Sequence, residues 1–203
     1  MIDTYSTISA PAEGLYREKG SRFLSFAFPV QSEEEVKQRI AAVRQEHHSA
    51  RHHCYAYRLG KEGALFRATD DGEPSGTGGK PILGQLLSAN LTNVLLVVTR
   101  YFGGTLLGTS GLIAAYRSAA GAAIAGAQVV QRTWDVELTA TFSYANLNEV
   151  MKLVKEEQLR VLRQDFRSEQ CSICLSVRES KAQRVRERLN ELGDAQAYKP
   201  GAE

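Results

Sequence analysis

The sequence predicts an α+β protein built as two α+β units in tandem, the second with the βαββαβ order of a ferredoxin-like split sandwich. Three observations carry this reading. Apolar residues alternate along several short segments and recur at helical spacing in others, so strands and helices are interleaved. The texture of the chain changes near Arg132, and most glycines lie before that point, between Gly72 and Gly126. A length of 203 residues suits one large domain or two small ones, and the periodicity favours two, residues 1–131 and 132–203.

In the first half a tail leads to a strand over Ser21–Val30, where Leu24, Phe26, Phe28 and Val30 alternate. Ser32-Glu33-Glu34-Glu35 is a capping box with acids in the first turn, and Val36, Ile40 and Val43 then mark one helical face. A strand follows at His52–Leu59. Glycines and acids from Gly60 to Gly79 give a long irregular connection, with room for a short strand at Leu65–Thr69. Pro81 fits the first position of a helix whose apolar face is Ile82, Leu83, Leu86 and Leu87. Val94–Phe102 is a continuous apolar run rich in β-branched residues, a strand buried on both sides, and Gly103-Gly104 ends it. The helix from about Ser110 to Gly126 is so rich in Ala and Gly that a neighbouring backbone must approach closely.

In the second half Val136, Leu138, Ala140 and Phe142 alternate as a strand, and Leu147, Val150, Met151 and Val154 mark a helix. Arg160–Arg167 and Cys171–Arg178 read as paired strands joined by Ser168-Glu169-Gln170. Ser180 with Gln183 caps a helix carrying Val185, Leu189 and Leu192, and Ala195–Tyr198 fits a short last strand.

Apolar residues at 43% and charged residues at 24% exclude wholesale disorder and collagen-like repeats. Arg100 and Arg117 interrupt the most apolar region, so no membrane span is expected, and Met1-Ile2-Asp3-Thr4-Tyr5 does not open a signal peptide. Three cysteines argue against a disulfide framework and for a reducing, cytoplasmic setting. The net charge is only +2, but its distribution is uneven. Between Glu73 and Asp135 there is no acid, while Lys80, Arg100, Arg117 and Arg132 lie inside that stretch. A glycine-rich segment with cations and no carboxylates has a positive local potential and suits an anion. The same composition also describes a small-residue core in which acids have no use.

All four histidines fall between His47 and His53, so a metal site is considered. On a strand, however, only His52 and Cys54 share a face, and His52 is the better candidate for a general acid or base. Cys171-Ser172-Ile173-Cys174 has no second CxxC, and its cysteines read as structural. The strongest local signal is Asp70-Asp71-Gly72-Glu73-Pro74-Ser75-Gly76-Thr77-Gly78-Gly79-Lys80-Pro81. Amides of Thr77, Gly78 and Gly79 at a helix start, with Lys80 beside them, are candidates to cradle a phosphate or carboxylate. A Walker A loop is excluded by Pro74 and Pro81, and the dinucleotide fingerprint lacks its third glycine. Asp70, Asp71 and Glu73 are weak candidates for Mg²⁺ and equally suited to capping their own turn. Arg100, ending an apolar strand, needs either a ligand or a partner among Asp70, Asp71 and Glu73.

Taken together, Lys19-Gly20-Ser21-Arg22-Phe23, Ala50-Arg51-His52-His53-Cys54-Tyr55-Ala56, Asp70 through Thr77, and Arg100-Tyr101-Phe102-Gly103-Gly104 through Gly108 resemble the IMPACT/YigZ family. The resemblance covers nearly the whole chain and matches the bacterial two-domain form. Gly20, inserted before Ser21-Arg22-Phe23, and Gly78-Gly79 in place of Ala-Gly are small departures. The resemblance implies a ribosomal-protein-like α+β domain followed by a ferredoxin-like domain similar to those of elongation factor G. Eukaryotic members regulate translation initiation by binding an activator of a stress-responsive initiation-factor kinase, with help from an extra N-terminal domain. Residues before Ser21 are too few for that domain, so the kinase pathway is not expected here.

Three functional readings follow. The first is a non-catalytic, translation-associated regulator binding ribosome, RNA or a translation factor. The second is an enzyme or small-anion or nucleotide binder using a glycine-rich cleft of the N-terminal domain. The third is a protein-interaction module using the C-terminal sheet face. Candidate ligand residues are Arg22, His52, Thr77, Gly78, Gly79, Lys80, Arg100, Gly103 and Gly104; no cofactor and no membrane partner is expected, and catalysis and oligomeric state stay open.

Overall fold

A computed structural model describes residues 3–167 and 170–200. In chain order the elements are β1 (Thr4–Ile8), β2 (Ala12–Glu18), β3 (Ser21–Pro29), α1 (Glu33–Glu46), β4 (His52–Leu59), β5 (Leu65–Thr69), α2 (Gly79–Ser88), β6 (Val94–Tyr101), α3 (Gly108–Ala125), β7 (Val129–Thr133), β8 (Asp135–Phe142), α4 (Leu147–Glu156), β9 (Arg160–Phe166), β10 (Cys171–Arg178), α5 (Glu179–Asn190) and β11 (Gln196–Tyr198). The chain is α+β and divides into two compact units, Tyr5–Arg132 and a second that runs from Thr133 and includes Asp3 and Thr4. The Ser168-Glu169 part of the expected link between β9 and β10 lies outside the described residues.

The first unit is built on an antiparallel sheet of order β2-β3-β6-β4-β5. Strand alternation gives β6 two buried faces. Leu96 and Val98 join Phe23, Ala27, Cys54 and Ala56 against α2 and α3, while Leu95 and Val97 join Phe26, Tyr57 and Leu59 against α1. Each fully buried Leu or Val contributes roughly 1.5–3 kcal/mol, so this double-sided strand is the anchor of the unit. The α1 start is capped as its sequence requires: Ser32 Oγ accepts from the Glu35 amide at 3.2 Å, and the Glu35 carboxylate accepts from Gln31 N at 2.8 Å. The α3 face of Ala115, Ala119, Ala120 and Ala123 is fully buried against β2 and β3. Ser25 Oγ donates to the Ala119 carbonyl at 2.6 Å, a contact that only small side chains permit.

The structure corrects the expected N-terminal tail. Those residues form β1, which pairs with β7 in a two-stranded sheet, and β2, which lies at one edge of the large sheet. The second unit has sheet order β11-β8-β10-β9, antiparallel throughout, with α4 and α5 contributing to its core: the ferredoxin-like arrangement. Cys171 lies in its core with Ile173, Leu175 and Val177. Within this unit Asp3 receives two hydrogen bonds from Arg178, Nε and Nη2 each at 2.6 Å. These bonds hold the Asp3 carboxyl well below the usual carboxylate range. No helix among the described residues is long and apolar enough to cross a membrane.

Candidate functional site

The loop between β5 and α2 folds around its own acid. Asp70 Oδ1 accepts from the amides of Gly78 at 2.9 Å and Gly79 at 2.8 Å, and Oδ2 accepts from Gly76 N at 2.8 Å. Burial pushes the Asp70 carboxyl up, but the three amides together outweigh it and leave the group below its ordinary value. Thr77 Oγ1 donates to the Pro74 carbonyl at 2.7 Å. The amides read from sequence as an anion cradle are therefore occupied by the chain itself, and α2 begins at Gly79, two residues before Pro81, because Asp70 caps it. A side chain at Gly79 would run into the backbone of Thr69, so the loop lies flat against β5.

Glu73 turns inward, with its side chain 3% exposed, and is the partner Arg100 requires: Arg100 Nη1 donates to Glu73 Oε1 at 2.7 Å. The Tyr116 hydroxyl donates to the same oxygen at 2.8 Å, and burial pushes that phenol's pKa far up. His52 lies opposite Arg100 in the β4–β6 register. Its Nδ1 is 2.9 Å from the Asp71 carbonyl, an acceptor, so Nδ1 carries the proton; Nε2 stands 4.0 Å from Glu73 Oε1. The Arg100 guanidinium lies 5.6 Å from the ring centres of both Phe23 and Phe102. Beside this group, Cys54 donates its thiol proton to the Asp70 carbonyl at 2.9 Å, and burial pushes its pKa far up.

The acidic trio does not converge. Asp70 serves the loop and Glu73 serves Arg100, while Asp71 accepts from Arg44 Nη2 at 2.6 Å and from His53 N at 2.7 Å. No cluster of three His, Cys, Asp or Glu suited to a metal ion occurs among the described residues. The candidate ligand residues are also divided. Strand alternation sends Arg22 to the opposite face, where it stacks at 5.0 Å on Tyr101, whose hydroxyl meets His47 Nδ1 at 2.9 Å. Gly103 packs directly on Gly20 and Ser21, its amide donating to Ser21 Oγ at 3.1 Å, and a Cβ there would overlap their backbone. Gly104 has φ +90° in an open turn.

Two clefts flank the Asp70–Lys80 loop. One, of about 500 Å³, has His52, Glu73 and Arg100 at its base and Arg51, Phe102, Leu106, Leu107 and the α3 start around it. The other, of about 840 Å³, is a groove between α2 and α3. Leu83, Leu87 and Ile113 make it apolar, and Lys80 and Arg117, both exposed and without a carboxylate partner among the described residues, stand over it. Sequence reasoning paired Lys80 with Arg100; the structure puts them in different clefts. It left Arg117, Arg51 and Leu106 out of the candidate set. Arg117 had a signal, being a lone cation on an Ala-rich helix, whereas Leu106 had none.

A family model described as the Impact N-terminal domain matches residues 19–124, the span that contains both clefts. Over 192 residues the chain is 32% identical to the IMPACT family member YvyE of Bacillus subtilis (strain 168), covering 95% of this chain and 88% of that protein. To the IMPACT family member YigZ of Escherichia coli (strain K12) it is 33% identical over 169 residues, 82% of this chain and 83% of the other. A crystal structure described only as that of a hypothetical protein superposes over the full length of both chains, with a TM-score of 0.76 and 28% identity. The ordered motifs, the two-unit α+β fold and these relatives agree: the chain belongs to the IMPACT family.

Proposed function

We propose that the protein is a non-catalytic, translation-associated regulator that binds RNA, free or within the ribosome, through the α2–α3 groove. The observation that carries this reading is the pair Lys80 and Arg117, exposed over an apolar-floored groove in the acid-free part of the chain. The first unit concentrates positive charge, with 14 lysines and arginines against 10 acids. Such a surface attracts a phosphate backbone by counterion release, and the apolar floor accommodates unstacked bases. Membership of a family whose eukaryotic members regulate translation initiation supports the same direction. Binding rather than thiol-based covalent chemistry is supported by the sealed Cys54 thiol.

The test is co-sedimentation with ribosomes and with free RNA across a salt series. Wild type is expected to bind saturably at low salt. Lys80→Ala and Arg117→Ala should each weaken binding and lower the log–log salt slope by about 1, the effect of losing one phosphate contact. Absence of binding at low salt, or variants that bind as wild type does, would remove this reading. Saturable binding to a translation factor with no response to RNA would assign the groove to a protein partner.

A further inference from the structure

The smaller cleft contains a cation whose hydrogen bonding is half used. Arg100 holds Glu73 through Nη1 alone. Its Nε is buried and has no acceptor, and among the described residues no hydrogen bond engages Nη2, although the side chain is only 7% exposed. The Nε–Nη2 edge is the fork that receives a planar oxyanion bidentately, as Arg178 uses it on Asp3. Elsewhere the guanidinium is fully occupied, with Phe23 and Phe102 near its faces and Glu73 at its end. The unused edge belongs to a side chain that lines the cleft.

A second feature meets it there. Helix α3 is 18 residues long, and its start at Gly108 and Thr109 lines the same cleft with no side-chain cap and no acid in the first turn. Its first amides have no intrahelical acceptor and carry roughly half a positive charge. Arg51, exposed and without a carboxylate partner among the described residues, adds one full charge, whereas Arg100 and Glu73 neutralise each other. The site thus balances one negative charge better than the two of a phosphate monoester. The remaining wall is apolar: Leu107, Leu112, Phe102 at 49% exposure and Leu106 at 84%. An exposed leucine and phenylalanine beside a cationic base form the complement of an anion with an apolar body.

We propose that this cleft binds a carboxylate carried on an apolar group, the carboxylate seated between the Nε–Nη2 edge of Arg100 and the first amides of α3. Phe102, half-exposed and 5.6 Å from the Arg100 guanidinium, adds apolar contact in the same cleft. Two sources share the chemistry, a free apolar acid and the C-terminal carboxylate of a peptide ending in a large apolar residue. The site is independent of the RNA groove, because neither Lys80 nor Arg117 lines it.

The test uses the full chain labelled with ¹⁵N, titrated with N-acetyl-phenylalanine, its carboxamide, inorganic phosphate, and acetyl-Ala-Ala-Phe with a free C-terminus. Saturable shifts of the Gly108 and Thr109 amides are expected with both acids, with the carboxamide and phosphate at least tenfold weaker. Leu106→Glu, at an exposed position that folding does not use, should weaken the acids at least tenfold and leave distant resonances in place. Arg100→Lys keeps a cation opposite Glu73 but lacks the fork, and should show the same loss in a folded spectrum. Equal affinity for the two acids assigns the site to a free acid, and a tripeptide at least tenfold tighter assigns it to a chain end; both support the proposal. No saturable shift, a carboxamide or phosphate that binds as tightly, or indifference to Leu106→Glu overturns it.

Discussion

Replacing Arg100 by methionine asks how much of the N-terminal unit is held by one buried charge pair. The variant keeps an apolar stem but leaves Glu73, 3% exposed, facing Tyr116 and His52 without its cation. Removing one member of a buried pair costs about 3–5 kcal/mol, because the remaining charge stays desolvated. Contact of the guanidinium with Phe23 and Phe102 adds about 0.5–1 kcal/mol, part of which the methionine thioether restores. The expected loss is about 4 kcal/mol; with a urea m-value of about 2 kcal/mol/M, the midpoint falls by about 2 M. Adding Glu73→Gln removes the orphaned charge and keeps an acceptor for the Tyr116 hydroxyl. The double variant should therefore recover about half of the loss, about 2 kcal/mol. Urea titration followed by far-UV circular dichroism measures the total, and amide exchange at Val97–Thr99 localises it to β6. A loss below about 1 kcal/mol, or a double variant no more stable than the single, would refute the reasoning.

Two further outcomes follow from the loop and the turn. Because the Asp70 carboxyl lies below its ordinary value of 3.8, the stability it supplies is present above that pH and is lost as the pH falls through its folded value. Asp70→Asn should cost about 2 kcal/mol at pH 7 and flatten that part of the acid-unfolding profile, measured as urea midpoints from pH 7 down to 2. Gly103→Ala places a methyl group inside the backbone of Gly20 and Ser21 and should cost about 3 kcal/mol by thermal unfolding, whereas Gly104→Ala meets only a positive-φ penalty of about 1 kcal/mol.

Legibility in the sequence followed the strength of local pattern. β3, α1, β4 and β6 carry alternation, a cap or a continuous β-branched run, and each sits where those signals point. β2 escaped because its inward positions are Ala12, Gly14 and Tyr16. Gly14 is required by the α3 backbone at Ala122 and Ala123, so packing erased the apolar stripe that would mark a strand. The Arg100 partner was narrowed to three acids by electrostatics alone. Choosing Glu73 needed the loop path, which is set by Asp70 capping α2 from eight and nine residues upstream. The same capping filled the expected cradle, a contact that residue spacing does not reveal. The clefts themselves arise from the pairing of α2 with α3 and from strand register, both long-range.

The Asp3–Arg178 pair has a consequence for the order of events during synthesis. Its partners are 175 positions apart, so Asp3 waits for β10 to be translated. At about 5–20 residues per second that interval is about 9–35 s, long compared with the folding of a small α+β domain. Tyr5–Arg132 emerges whole in the meantime and has time to close its own sheet. The ferredoxin-like unit, by contrast, closes only once Arg178 has recaptured Asp3. A fragment cut at Thr133 would therefore carry an arginine shaped for a carboxylate that was left behind on the other piece.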